Sequence, residues 1–321
     1  MLTIDPGVFA DASILPETRA LNDDIVDKLN ALPDMWTVEP AIMRERRKQG
    51  LSAFPVAPFV PHAEVREIDG PAGPIPLRII APRARASRGV YLHLHGGGWT
   101  LGAADQMDPR LERIAENCGL TIVSVDYRLA PEDTYPAGPD DCEAAALWLA
   151  GNAASEFGTS CLTIGGESAG AHLSVVTLLR LRDRHGLTPF SGANLVAGSY
   201  DLGLSPSVRN WGEEKLILCT RDVEFFSGNF LPPELDRRDP DISPYYARLD
   251  QMPPALFTVG TRDILLDETL SMAVRWLAAG NGAELKLHAG GCHVFQAFDC
   301  AITETSLAEM DAFLNSVCEA A

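Results

Sequence analysis

The feature that most constrains the fold of this chain is a sharp turn between two regular elements at residues 162–173. An apolar run (Leu-Thr-Ile-Gly) is followed by Gly-Glu-Ser-Ala-Gly at residues 166–170 and then by a helical pattern. Glycines two positions before and after Ser168 leave room for a tight turn, which lifts the serine hydroxyl above a sheet. A plain glycine-rich turn is the alternative, but the flanking strand and helix favour a serine nucleophile.

The rest of the chain alternates between strand-like and helix-like segments. The predicted strands are residues 64–69, 75–81, 89–94, 121–125, 161–164, 193–197, 255–259 and 284–288. The predicted helices among them are residues 109–118, 140–149, 169–184, 271–279 and 307–317. This alternation predicts an α/β fold with a mostly parallel eight-stranded sheet and helices on both faces.

Two segments depart from this alternation. Residues 1–54 show helical spacing over 18–31 and 41–49, and a proline-rich connector follows them. Residues 198–250 are rich in proline and aromatic residues and separate two core strands, so they are predicted to be an insertion. Insertions at the carboxyl edge of such a sheet commonly cover the active site. The core is accordingly predicted to comprise residues 55–197 and 251–321.

Charge and composition exclude several classes of protein. The net charge of −18 argues against nucleic acid or an anionic membrane as a partner, because like charges repel. No apolar stretch reaches the roughly 18 residues that a membrane span needs, and the first residues lack the pattern of a secretory signal. The seven cysteines are scattered without a CxxC, which argues against a disulfide framework or a zinc site and favours the cytoplasm.

A glycine-rich loop precedes the serine turn. Residues 92–99 (Leu-His-Leu-His-Gly-Gly-Gly-Trp) end a strand and open a loop. Its glycines leave backbone N–H groups free to approach a substrate oxygen, so Gly97 and Gly98 are predicted oxyanion donors. Ala169, which opens the helix after the serine, is predicted to supply a third N–H. A phosphate-binding loop is disfavoured because neither standard glycine motif for phosphate is present.

A serine nucleophile needs a base, and the base needs an orienting carboxylate. On such a fold they follow the serine in the order acid, histidine. Asp263 lies just beyond a predicted strand and is the predicted acid. His293 follows Gly-Gly-Cys just beyond the last strand and is the predicted base. Asp267 and Glu268 are expected to cap the next helix instead.

The other candidates near these residues are given structural roles. His172 lies one helical turn from Ser168, so its ring is expected to pack or bond locally. His185 is expected at the surface end of the same helix, and His288 within a strand. Cys292, next to the predicted base, is expected to be a packed and inert thiol rather than a reactive one.

Taken in order, these motifs resemble the bacterial hormone-sensitive-lipase-like esterases, also called family IV lipolytic enzymes. The resemblance runs from about residue 63 to the C-terminus. It rests on His-Gly-Gly-Gly at 95–98, Tyr-Arg-Leu-Ala-Pro-Glu at 127–132, the serine turn, Asp-Ile-Leu at 263–265 and His293. It implies an α/β-hydrolase fold with a helical cap formed by residues 1–54 and 198–250. The triad that it implies is Ser168, Asp263 and His293, with Gly97, Gly98 and Ala169 as the oxyanion hole.

The resemblance also implies an activity. The chain is expected to be a carboxylesterase that prefers short- to medium-chain acyl esters, with a small-molecule substrate and with no cofactor or metal. A homodimer is suggested by the family alone. His95 is expected to orient its loop, and Glu167, where the family often has aspartate, to bond to the loops around the acid. Aromatic candidates for lining the pocket are Trp36, Trp211, Phe225 and Phe226.

Two other functions are weighed against the esterase. The run His-Gly-Gly-Gly-Trp at 95–99 also resembles a motif of kynurenine formamidases, which makes an amidase or arylformamidase the alternative. Trp99 in that run is expected simply to wall the pocket. The second is a non-catalytic small-molecule receptor, like the plant gibberellin receptors that resemble this family and have lost the base. His293 is retained here, which argues against a receptor.

Overall fold

A single sheet organises residues 3–320, which are the residues that this computed structural model describes. Met1, Leu2 and Ala321, at the ends of the predicted first and last segments, lie outside them. The strands are β1 (Glu64–Gly70), β2 (Gly73–Ile80), β3 (Gly89–Leu94), β4 (Leu120–Val125), β5 (Leu162–Glu167), β6 (Gly192–Val196), β7 (Ala255–Gly260) and β8 (Ala283–His288). They lie in the order β1-β2-β4-β3-β5-β6-β7-β8. Strand β2 is antiparallel to both neighbours and every later pair is parallel, which confirms the predicted eight-stranded sheet.

Helices lie before, between and after the strands. They are α1 (Pro16–Asn30), α2 (Pro40–Lys48), α3 (Asp108–Cys118), α4 (Ala137–Phe157), α5 (Ala169–His185), α6 (Pro206–Trp211), α7 (Thr220–Phe230), α8 (Leu266–Ala278) and α9 (Ala301–Glu319). Among the helices of residues 3–320, none combines the length and the hydropathy that a bilayer-spanning segment needs.

The core has two layers, one on each face of the sheet. Side chains alternate between the faces of a strand, and in β3 Leu92 joins one apolar cluster while Tyr91 joins the other. Helices α4, α5 and α8 cover the first face, where Trp276 is fully buried. Helices α3 and α9 cover the second face through Leu111 and Leu314. The predicted placement of helices on both faces is confirmed.

Several elements extend further than their sequence pattern predicts. Strand β5 continues through Gly165 and Gly166, which pair with Asn194 and Leu195 of β6. Glycine is a poor strand former, so the apolar pattern ends too early, but the ladder to β6 extends the strand. Helices α8 and α9 begin five and six residues before the predicted 271 and 307, because their polar first turns carry no apolar periodicity.

The carboxyl ends of the parallel strands lie at one edge of the sheet, where the loops after β3, β5, β7 and β8 meet. Residues 3–54 and 198–250 are together called the roof, and α1, α2 and α7 among them pack over this edge. In one roof cluster, Ile25 of α1 contacts Ile217 of the insertion and Phe295 beyond β8. In another, Met43 of α2 packs with Phe226 of α7. The segment 198–250 contains two short helices, α6 and α7, that its sequence pattern does not predict.

All seven cysteines are free thiols in the described part of the chain. Two of them are neighbours, because Cys161 precedes β5 and Cys318 lies near the end of α9. Their sulfur atoms are 2.8 Å apart. The C-terminal helix therefore contacts the sheet directly at the end remote from the edge that the roof covers.

Candidate active site

Ser168 occupies a strained turn between β5 and α5. Its φ of 56° and ψ of −120° lie in a region that residues other than glycine rarely adopt. A Cβ atom on Gly166 or on Gly170 would collide with the carbonyl oxygen of Leu94 at the end of β3. The two glycines therefore let the turn lie directly against β3, for the steric reason that their spacing around the serine predicts.

Asp263 and His293 follow β7 and β8, and their side chains are in contact. His293 Nδ1 lies 3.0 Å from Asp263 Oδ1 and 3.1 Å from Oδ2. Both side chains are buried, so water does not compete for this contact. The N–H of Leu265 also donates to Asp263 Oδ1 at 2.8 Å and fixes the carboxylate. With Nδ1–H donating to the aspartate, Nε2 of His293 is left able to accept a proton.

The two other acids near Asp263 bond to the roof. The backbone N–H of Ser207, in the first turn of α6, donates to Asp267 Oδ2 at 2.8 Å. Glu268 is buried in α8 and accepts hydrogen bonds from the N–H groups of Tyr200 and Asp201. Burial raises the pKa of Glu268 to about 8. The expectation that these acids cap their own helix is therefore wrong, since both bond to the start of the insertion.

The loop after β3 brings two glycines to the same edge of the sheet as the serine. Gly97 and Gly98 have φ angles of 126° and 60°, and a Cβ on Gly98 would collide with the ring of Phe226. Within residues 3–320 neither glycine N–H donates to a protein acceptor. Ala169 opens α5, so its N–H has no acceptor inside the helix. Such free donors can stabilise negative charge on a substrate oxygen.

Glu167, directly before the serine, bonds to the glycine-rich loop. The N–H of Gly96 donates to its Oε1 at 2.8 Å, and its Oε2 lies 3.2 Å from His93 Nε2. His93 Nδ1 lies in turn 2.9 Å from the hydroxyl of Ser124. The expectation that Glu167 bonds to the loops around Asp263 is therefore wrong. Strands β5 and β3 are neighbours, so the loop that follows β3 is the one within reach of this side chain.

The carboxylate of Glu167 is ionised although it is buried. Burial is the largest influence on its pKa and acts to raise it. The charge and hydrogen bond of His93, the charge of Arg110 and the N–H of Gly96 outweigh burial and lower the pKa to about 2. The loop is consequently held by a charge-assisted hydrogen bond, which is stronger than a neutral one.

His95 holds the other side of the same loop. Its ring stacks on Tyr127 with centroids 4.2 Å apart, and the Tyr127 hydroxyl donates to the His95 carbonyl at 2.6 Å. His95 Nδ1 lies 2.9 Å from the carbonyl oxygen of Gly96. Burial lowers the pKa of His95 to about 4, so the ring is neutral at neutral pH. These contacts can orient the loop, which is the role that the resemblance implies for His95.

Both ring nitrogens of His172 are occupied by protein partners. Trp99 Nε1–H donates to Nδ1 at 3.1 Å, and Nε2 lies 2.8 Å from the carbonyl oxygen of Ile242 in the roof. Burial lowers the pKa of His172 to about 4. Its predicted structural role is confirmed, but Trp99 does not wall the pocket as expected. The Trp99 ring instead stacks on Phe230 at 4.7 Å, away from the residues that line the cleft.

The remaining candidates are also structural. Cys292 is fully buried, and burial raises the pKa of its thiol, which makes it inert as predicted. His288 is buried against Phe295 with ring centroids 5.0 Å apart. His185 lies at the surface end of α5 and contacts Glu143 at 2.8 Å.

A cleft of about 180 Å³, open to solvent on one side, lies between the sheet edge and the roof. Its lining includes Ser168, His293, Gly97 and Gly98, so the structure brings four of the predicted residues to one space. The roof contributes mainly apolar side chains to it, among them Leu29, Leu32, Met35, Val38, Met43, Ile217, Leu218 and Phe226. Of the predicted aromatic lining residues, Phe226 therefore lines the cleft, whereas Trp36, Trp211 and Phe225 do not.

Two cationic residues that the sequence analysis did not single out also line the cleft. They are Arg46 and Arg47 in the last turn of α2. Basic residues are common at that end of a helix, where they complement its dipole, so their position carries no signal in the sequence. Within residues 3–320, no group of three or more His, Cys, Asp or Glu side chains is arranged to hold a metal ion.

Proteins named as ester hydrolases align with most of this sequence. A family model described as the alpha/beta hydrolase fold matches residues 91–297. Carboxylic ester hydrolase LipN of Mycobacterium tuberculosis is 33% identical over 250 residues, which are 73% of this chain and 65% of LipN. Esterase LipI of the same organism is 32% identical over 282 residues, which are 84% of this chain and 86% of LipI.

Solved structures agree with the sequence relatives. An esterase from the archaeon Pyrobaculum calidifontis superposes with a TM-score of 0.85 at 28% identity, covering 94% of this chain and 98% of that one. A hormone-sensitive lipase from a metagenome library gives 0.82 at 26% identity, with the same coverage. The chain belongs to the α/β-hydrolase family and, within it, to the hormone-sensitive-lipase-like carboxylic ester hydrolases.

Proposed function

We propose that this carboxylic ester hydrolase works through a triad of Ser168, His293 and Asp263. The observation that carries the proposal is the buried contact between His293 Nδ1 and Asp263, at 3.0 Å, beside a cleft that both Ser168 and His293 line. A serine hydroxyl is a weak nucleophile, and a histidine oriented by a carboxylate is the partner that activates it.

The reaction follows from these positions in two halves. His293 Nε2 accepts the proton of the Ser168 hydroxyl while the oxygen attacks the ester carbonyl. His293 then protonates the departing alcohol, which leaves an acyl group on the serine. A water molecule, deprotonated by the same histidine, attacks the acyl-enzyme and releases the acid. Asp263 holds the ring and stabilises its positive charge at each stage.

Backbone donors stabilise the oxygen that becomes negative. We assign this role to the N–H groups of Gly97, Gly98 and Ala169, the first two of which have no protein acceptor within the described residues. Loss of one such donor lowers turnover by roughly 10²- to 10³-fold in a comparable enzyme. Glu167 and His95 support these donors because both bond to the loop that carries the glycines.

The roof is proposed to be the cap of the enzyme and to select its substrates. Residues 1–54 and 198–250 would then form the cap, and residues 55–197 and 251–321 the catalytic core. Apolar side chains of α1, α2 and α7 line the cleft opposite Ser168, which supports acyl chains of short to medium length. The free cysteines and the acidic net charge fit a cytoplasmic enzyme of small esters, and a homodimer stays a prediction.

Replacement of Ser168 by alanine tests the nucleophile. We expect turnover of a p-nitrophenyl ester to fall by roughly 10⁶-fold, by analogy with serine proteases. Labelling of the wild-type protein by a fluorophosphonate should be lost in the same variant. Ser174→Ala, further along α5, is the matched control. This variant should retain both the turnover of the ester and the labelling by the fluorophosphonate. Near-normal turnover in Ser168→Ala would contradict the assignment.

A panel of p-nitrophenyl esters from acetate to palmitate tests the acyl preference. The enzyme should have its highest kcat/KM with the esters of short and medium acyl chain length. A maximum at the longest chains would overturn the preference while leaving the triad untouched. Comparison with N-formylkynurenine on the same enzyme separates an esterase from an arylformamidase.

A further inference from the structure

Two arginines in the cleft, Arg46 and Arg47, lack the polar partners that Arg44 has on the same helix. Arg44, on the same helix α2, forms two hydrogen bonds with the Glu132 carboxylate at 2.9 and 2.7 Å and another with the Thr100 carbonyl at 2.7 Å. Among residues 3–320, Arg46 and Arg47 form no ion pair and no side-chain hydrogen bond. Their guanidinium groups therefore have donors to spare at the wall of the cleft.

The lining of the cleft offers Arg46 and Arg47 no free carboxylate, although acidic residues are abundant in the chain. The chain has 44 acidic and 26 basic side chains, so a carboxylate is available to most arginines. Within the described residues that line the cleft, Glu167 is the sole carboxylate, and it is already engaged by Gly96 and His93. The cleft thus has an excess of positive charge at its wall, opposite in sign to the protein as a whole.

Arg47 is also placed for binding. Its guanidinium carbon lies 4.8 Å from the centroid of the Phe54 ring, a stacking contact that orients the group without using its donors. Burial lowers the pKa of Arg47, whereas the negative charge of Glu167 raises this pKa and offsets part of the effect. An arginine remains a cation, and this side chain is only half-buried, so an incoming anion can reach its donors.

Resting on the ester hydrolysis proposed above, we infer that the preferred substrates carry a second, free carboxylate on the part of the molecule remote from the scissile ester. The planar guanidinium of Arg47, assisted by Arg46, pairs with that carboxylate, since the two groups match in geometry and charge. The apolar wall of the cleft accepts the methylene chain between the two ends. Monoesters of medium-length dicarboxylic acids have this form.

Three esters of similar length test the inference: monoethyl adipate, which is anionic, ethyl hexanoate, which is neutral, and ethyl 6-aminohexanoate, which is cationic. Acid release is followed in a pH-stat near neutral pH. The wild-type enzyme should hydrolyse the anionic ester with a kcat/KM about tenfold or more above that of the neutral one, the effect expected of a charged hydrogen bond. The cationic ester should be the poorest substrate.

Variants of α2 then assign the preference to the arginines. Arg47→Gln should bring the ratio of anionic to neutral kcat/KM close to one, Arg46→Gln should lower it less, and Arg47→Lys should give an intermediate ratio. Lys48→Gln removes the same charge from an exposed residue of the same helix that does not line the cleft, and should leave the ratio unchanged. Added salt should lower the wild-type ratio, which tests the inference even where a variant fails to fold.

The outcomes separate the two proposals. Hydrolysis of ethyl hexanoate without any preference for monoethyl adipate would overturn the carboxylate inference alone. A preference that survives Arg47→Gln and Arg46→Gln would overturn it as well. If the wild-type enzyme hydrolysed none of the three esters, nor any p-nitrophenyl ester, the proposed function itself would be wrong.

Discussion

The two walls of the cleft are held in place by different kinds of contact. The floor, meaning Ser168, Asp263, His293, Glu167 and residues 95–98, depends on directional hydrogen bonds between buried groups. In the roof, the side chains that face the cleft are held mainly by apolar clusters, while polar contacts such as those of Arg44 tie the roof to the core. Hydrogen bonds fix atoms to within tenths of an ångström, whereas apolar packing tolerates exchange of side chains of similar volume. Catalytic geometry and substrate choice can therefore change independently.

Two buried glutamates show the same contrast. In the floor, Glu167 has its pKa lowered to about 2 because His93, Arg110 and Gly96 outweigh burial. At the base of the roof, Glu268 has its pKa raised to about 8 because burial outweighs its bonds to backbone N–H groups. The floor thus holds a permanent charge, and the roof is attached through a group that titrates near neutral pH.

Apart from loss of the nucleophile itself, the largest expected effect is in the floor, at Asp263. Asp263→Asn keeps the shape of the side chain but favours the wrong histidine tautomer, so kcat should fall by about 10⁴-fold. Asp267→Asn alters a neighbouring acid that bonds to the roof and should change kcat by less than about tenfold. Steady-state kinetics and thermal unfolding of both variants are the measurements. Equal losses of kcat in the two variants would show that Asp263 and Asp267 do not differ in their contribution to catalysis.

The next effect is at Glu167, which touches the loop and not the substrate. Glu167→Ala should lower kcat by about 10²-fold with little change in KM, because the loop donors shift when Gly96 loses its acceptor. Glu167→Gln keeps an acceptor oxygen and should restore most of the activity. Glu67→Ala, on the exposed strand β1, is the control. A rise in KM at unchanged kcat would show that Glu167 does not position the donors.

These residues also show what the sequence can and cannot predict. The placement of Asp263 and His293 at one edge of the sheet could be predicted because each follows a predicted strand, and strands of a parallel sheet end at one edge. The partner of Glu167 was not predictable, because it depends on which strand lies beside β5. That order, with β3 between β4 and β5, is a property of the whole sheet. The residues that line the cleft were unpredictable for a related reason, since packing of the roof decides whether Phe225 or Phe226 faces inwards.

Fold elements were predictable where local pattern and packing agree. Strand β3 ends at Leu94 as predicted, since all its residues are buried and most are apolar. Helix α4 runs over Ala137–Phe157, far beyond the predicted 140–149. Most of the extra length is at the C-terminal end, where the residues are partly exposed and mostly small or polar, so they lack the apolar periodicity of a core helix.

A smaller effect is expected on stability, at the base of the roof. The folded-state pKa of Glu268, about 8, exceeds its ordinary value of 4.5. Between these values the unfolded chain binds fewer protons than the folded one, so the free energy of unfolding should fall as pH rises. The slope is at most about 1.4 kcal/mol per pH unit. Glu268→Gln cannot ionise and should flatten this dependence in urea unfolding, whereas the exposed Glu284→Gln should not. If the free energy of unfolding had the same pH dependence in all three proteins, a group other than Glu268 would be responsible for it.

The smallest effect is expected where the roof meets the floor, at Phe226. Its ring occupies the space next to Gly98, so Phe226→Ala should open the cleft above a predicted oxyanion donor without moving the donor itself. The ratio of kcat/KM for p-nitrophenyl octanoate over acetate should rise by about 2- to 10-fold, a typical value for added space in an apolar pocket. Phe225→Ala removes an equal volume from a neighbour that does not line the cleft, and its ratio should match the wild type. A fall in kcat for acetate as large as that for octanoate would mean that Phe226 supports the glycine loop, and the floor would then depend on the roof.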